Sequence, residues 1–112
     1  MSVHCDVIIR PSATPAQLTA LGAALWRWCT RAAGDTGMYQ YLDNQALADL
    51  VAGKLPPSGP ARRPGDRRGV RFRVRDDTSQ GRLATLDSLR REIPADGVED
   101  ILVDGKSWNL TD

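Results

Sequence analysis

Val70-Arg71-Phe72-Arg73-Val74-Arg75 alternates apolar and cationic side chains without a break. A period of two is that of a β-strand, so Val70, Phe72 and Val74 share a core-facing side while the arginines share the other. Val3-His4-Cys5-Asp6-Val7-Ile8-Ile9-Arg10 has the same character: Val3, Cys5, Val7 and Ile9 point one way, and His4, Asp6, Ile8 and Arg10 the other, until Pro11 ends the run. Val98 to Asp104 is a last strand, and the Asp104-Gly105 turn signal before Lys106-Ser107-Trp108-Asn109-Leu110 predicts a terminal hairpin or extension. A shorter strand is read over Gly37 to Leu42, from its aromatic, alternating residues.

Between these runs the period changes to that of helices. Thr14-Pro15-Ala16-Gln17 is a capping box with proline at the first helical position. Leu18, Leu21, Leu25, Trp28, Cys29 and Ala32 then form one apolar stripe, with Gly34 as the expected stop. At about 100° per residue Trp28 falls inside the edge of that stripe and Trp26 well off its centre, so Trp26 is expected at the surface. Asp43 or Asn44 can cap a short helix through Leu47, Leu50 and Val51, closed by Gly53. Leu83, Leu86, Leu89 and Ile93 mark a further amphipathic helix, entered from caps at Asp76 to Ser79 and ended near Pro94. Residues 54–69 hold four prolines and three glycines with few apolar side chains, which predicts a mobile loop.

The order is strand, helix, strand, short helix, loop, strand, helix, strand. It predicts an α+β class and a two-layer, ferredoxin-like βαββαβ sandwich, with the short helix and the Pro/Gly/Arg-rich loop inserted between strands two and three. All 112 residues then form a single domain, 1–112, a length that excludes two cores. With both main helices on one face, the expectation for the other is a solvated ladder in which acidic and basic strands alternate. No apolar run approaches a membrane span, and the N-terminus lacks the pattern of a secretory signal, so a cytoplasmic protein without a membrane partner is expected. Cys5 and Cys29 are too few for a disulfide framework or a zinc site and are read as free buried thiols.

The chemistry-bearing groups are sparse. His4 is the lone histidine; Asp6 lies on its face of the strand and Cys5 on the opposite one, so an acid–base pair can be drawn but no activated thiolate. Asp76, Asp77, Glu99, Asp100 and Asp104 lack the spacing of a calcium loop, and the glycines lack a phosphate-binding order, so no catalytic residue, metal site or cofactor is expected. Arg62, Arg63, Arg67, Arg68, Arg71, Arg73 and Arg75 crowd into one segment and could neutralise phosphates, making an RNA- or DNA-binding domain the alternative function. Against it stand a net charge of only +1 and Phe72, the one aromatic of that strand, which points inward. The leading expectation is a non-enzymatic protein-interaction or adaptor module that binds a partner or itself through Trp26, Tyr39, Tyr41 and Trp108, large amphipathic side chains of the kind that anchor interfaces. An uncovered edge strand offers a further docking mode.

The stretches Gly37-Met38-Tyr39-Gln40-Tyr41-Leu42-Asp43-Asn44-Gln45-Ala46-Leu47-Ala48-Asp49-Leu50 and Arg91-Glu92-Ile93-Pro94-Ala95-Asp96-Gly97-Val98-Glu99-Asp100-Ile101-Leu102-Val103-Asp104 give the chain a resemblance to CATRA-associated small proteins of bacterial conflict systems, which accompany caspase-like and helical-repeat components. The resemblance implies an accessory or adaptor encoded beside a larger effector in a bacterium. It transfers no catalytic or ligand residue.

Overall fold

A computed structural model describes residues 2–35, 39–56, 68–75, 87–103 and 106–108. Strand β1 (Ser2–Ile9) leads through Pro11 into helix α1 (Pro15–Asp35). The capping box closes as its residue types require: the Thr14 amide donates to Gln17 Oε1 (2.9 Å), and the Gln17 amide donates to Thr14 Oγ1 (3.2 Å). Helix α1 continues through Gly34, expected as its stop, to Asp35.

Strand β2 (Tyr39–Leu42) is followed by helix α2 (Asn44–Val51), whose cap is Asp43, accepting from the Ala46 amide at 3.1 Å. Gly53 ends α2 at a φ of +78°. Its amide donates to the Leu50 carbonyl (2.8 Å) and that of Lys54 to the Asp49 carbonyl (2.8 Å), the paired bonds that close a helix around a left-handed glycine. Strand β3 (Gly69–Arg75) contains the alternating run, residues 87–92 form helix α3, and a 3-10 turn (Ala95–Gly97) leads into β4 (Val98–Val103) and β5 (Lys106–Trp108).

The class is α+β. The sheet order is β2-β3-β1-β4-β5 with antiparallel pairing throughout. The terminal extension adds β5 as a fifth strand at the edge, outside the four counted from the main pattern. Cys5, Val7 and Ile9 of β1, Val70 and Phe72 of β3, and Val98, Ile101 and Val103 of β4 form one core with Leu18, Leu21, Leu25 and Trp28 of α1, Leu47 and Leu50 of α2 and Leu89 of α3. The described helices therefore share one sheet face. Trp28 lies in that core with its ring centroid 5.4 Å from that of Phe72, and its Nε1 donates to Ser88 Oγ at 3.1 Å, tying α1 to α3.

The other face departs from the expected solvated ladder. His4 does lie opposite Arg73, and Asp6 opposite Arg71, and the first pair is exposed. Yet Asp6, Ile8 and Leu102 are only 3%, 0% and 3% exposed. Around Asp6 the flanks are filled: β3 and β4 are bonded to the two edges of β1, Leu102 lies opposite Asp6 on one side, and on the other the Arg71 guanidinium reaches back across it. A buried carboxylate is tolerated there because a bidentate guanidinium offsets its desolvation cost.

The inserted segment differs at both ends from the predicted loop over 54–69. Leu55 packs against the core and Pro56 is buried, while Gly69 belongs to β3. Residues 57–67, the entry of the third helix over 76–86 and the Asp104-Gly105 turn lie outside the described residues.

Candidate functional site

Helices α1 and α2 pack side by side because one position of α1 has no side chain. A Cβ on Gly22 would lie 2.9 Å from Leu50 Cβ and 3.0 Å from the Val51 backbone nitrogen, too close for any other residue without a shift. Thr19 Oγ1 donates to the Val51 carbonyl at 3.3 Å and fixes the same contact.

Beside this contact runs a groove of about 700 Å³. Ala23, Trp26 and Arg27 line it from α1, and Asn44, Leu47, Ala48, Val51 and Ala52 from α2 and its end. Trp26 is 53% and Val51 49% exposed, and these are the exposed large hydrophobic residues among the described ones. Both lie on the groove. Scattered exposed apolar side chains are ordinary, but their concentration in one concavity is not.

The groove's two polar side chains are uncommitted. Among the described residues, the exposed Arg27 forms no hydrogen bond or ion pair, and the Asn44 side chain is likewise without a partner. Of the carboxylates flanking α2, Asp43 caps the helix, and Asp49 Oδ1 accepts from Gln45 Nε2 at 3.4 Å.

Of the aromatic residues expected at an interface, Trp26 is placed on this groove. The backbones of Tyr39 and Tyr41 lie in edge strand β2 and that of Trp108 in edge strand β5, while their side chains are outside the described residues. Sequence reasoning missed the α2 wall, because Val51 was counted with Leu47 and Leu50 on a single apolar side. The signal was present. Ala48, Val51 and Ala52 keep the i, i+3, i+4 spacing of a second stripe, as Ala23, Trp26 and Arg27 do on α1.

The arginine cluster is divided. Arg71 Nε donates to Asp6 Oδ1 at 3.0 Å and Nη2 to Oδ2 at 3.1 Å, a bidentate pair that occupies the carboxylate and much of the guanidinium. Arg68 and Arg73 are exposed and without side-chain partners among the described residues. Arg75 lies at the end of β3 with its side chain outside the described residues, as are Arg62, Arg63 and Arg67 altogether.

His4 and Asp6 share a face of β1, but the Asp6 carboxylate is held by Arg71 on both oxygens. Cys5 and Cys29 are both free and buried, and burial pushes the Cys29 thiol up to about 12. A thiol so placed is a packing group and not a nucleophile at neutral pH. Among the described residues no group of three or more His, Cys, Asp or Glu side chains could hold a metal ion, and no helix is long and apolar enough to cross a membrane. No protein-family model, curated protein or solved structure matches the chain.

Proposed function

We propose that this chain is a non-enzymatic protein-interaction module whose docking surface is the α1–α2 groove with Trp26 as its anchor. The observation that carries the reading is the coincidence of the two exposed large apolar side chains, Trp26 and Val51, in one concavity. Half-exposed, the indole leaves on the order of 100 Å² of ring surface in water, and covering it is worth about 2.5 kcal/mol. Nothing in the packing of α1 calls for an indole at that position, since Trp28 already fills the core. The fold we propose beneath it is a ferredoxin-like core with β5 appended, supported by the β2-β3-β1-β4 order. That scaffold serves many activities, so the groove carries the functional argument.

In the setting that the family resemblance implies, the module acts in the bacterial cytoplasm as an accessory to a larger conflict-system effector. The test is Trp26→Ala in the full chain, assayed for capture of candidate effectors encoded beside it. Loss of capture with an unchanged melting temperature supports the reading. Unchanged capture and unchanged oligomeric state defeat it.

A second reading, binding of RNA or DNA, draws on Arg68 and Arg73, exposed and without side-chain partners among the described residues. It predicts retention on nucleic acid that falls steeply with salt and is lost when Arg62, Arg63, Arg67 and Arg68 are neutralised. The Asp6 pair takes Arg71 away from any such surface.

A further inference from the structure

We infer that the occupant of the α1–α2 groove is an acidic amphipathic helix of a partner protein, whose apolar face covers Trp26 and whose carboxylate pairs with Arg27. This rests on the groove being a docking surface and adds what docks there.

The secondary structure of the occupant follows from the backbone of its host. Helices α1 and α2 satisfy their amide and carbonyl groups internally, and the open end of α2 is closed as well: the Asp49 and Leu50 carbonyls accept from Lys54 and Gly53, and the Val51 carbonyl accepts from Thr19. An extended peptide laid in the groove would find no backbone partners for its own polar groups, whereas a helix brings its bonds with it. The groove walls also have the i, i+3, i+4 spacing that receives the ridges of a third helix. Alanines at 23 and 48 add only short side chains to its walls, and its volume of about 700 Å³ admits several aliphatic side chains where a single one would not fill it.

Charge decides between a partner and a second copy. Arg27 is the ionic residue of the lining, and it has no partner among the described residues. In a two-fold dimer the groove faces itself, so Arg27 would meet a lining that holds no carboxylate, since Asp43 and Asp49 lie outside it. A like charge would be brought in instead. An occupant carrying a carboxylate beside its apolar stripe pairs with Arg27, and Asn44 can donate to the same acid.

The probes are three lactam-stapled helical peptides with leucines at i, i+3, i+4 and i+7, differing only in whether glutamate, glutamine or lysine flanks the stripe. Isothermal titration calorimetry against the full chain is expected to show binding of the glutamate peptide, with affinity falling as salt is raised. The lysine peptide is expected to bind at least about tenfold more weakly. Arg27→Glu, an exposed site whose folding is checked by circular dichroism, should reverse that preference, Arg27→Gln should abolish it, and Trp26→Ala should remove binding of every peptide. Equal binding of the three peptides overturns the acidic partner and leaves the docking surface standing. No peptide binding, together with dimerisation that Trp26→Ala abolishes, overturns this inference in favour of a second copy. No binding, a monomer throughout and no effect of Trp26→Ala overturn the inference and the docking surface together.

Discussion

At the residue scale, the pairing of Asp6 with Arg71 is the costliest polar arrangement described. The carboxylate is 3% exposed and held on both oxygens, so Arg71→Ala strips it of its bidentate partner in a dry site. A loss of about 3–5 kcal/mol is expected by urea denaturation, and the joint change Asp6→Leu with Arg71→Met should recover most of it, because an apolar pair removes the desolvation cost along with the attraction. The register that brings the two residues together was legible in the alternation of Val70 to Arg75 and Val3 to Arg10. Their burial was not, because a period of two divides the faces of a strand without stating how much of either face is covered. Cys29 gives a second test at this scale. Its thiol is pushed from 9.0 up to about 12 by burial, so the unfolded chain ionises it first as pH rises. Its effect on stability is nil below pH 9, then destabilising by about 1.4 kcal/mol per pH unit from 9 towards 12. Comparing Cys29→Val with the native chain by denaturation at pH 8, 10 and 11 should isolate that slope, and the native thiol should resist alkylation at pH 8.

At the element scale, the punctuation residues do as much as the apolar stripes. Thr14→Ala removes the side-chain half of the α1 cap, at an expected cost of about 0.5–2 kcal/mol. Gly53→Ala forces a Cβ into a left-handed backbone and 3.3 Å from Pro15 Cβ, at a cost of about 1–2 kcal/mol. Thermal melting of the two single variants and their double checks both values, and their sum tests whether the two helix ends behave independently. These devices were readable in the sequence because each acts within a few residues of itself: Thr14 with Gln17, Asp43 with Ala46, Gly53 with Leu50. What acts at long range was not. Gly22 looks like an ordinary helix glycine until Leu50 and Val51 are placed against it, and the groove exists only because two stripes distant in the chain meet.

At the scale of the whole molecule, every described helix contributes to one core on one side of an antiparallel sheet, while the α1–α2 surface above it stays apolar and open. Under the proposed function, stability and recognition fall to different residues of the same helix. Trp28→Ala, which empties a site 3% exposed and removes the bond to Ser88, should cost about 3–5 kcal/mol. Trp26→Ala should change stability by no more than about 0.5 kcal/mol in the same denaturation experiment. The exposure of Trp26 was foreseen from helical angle alone; its place in a groove needed the partner helix.

That division gives the molecule a pair of spectroscopic gauges two positions apart. With Trp108→Phe removing the third indole, iodide should quench the emission of Trp26 and spare that of Trp28. Shielding of the first then reads out occupancy, a red shift of the second reads out loss of the native state, and one titration separates a ligand that covers the protein from one that melts it.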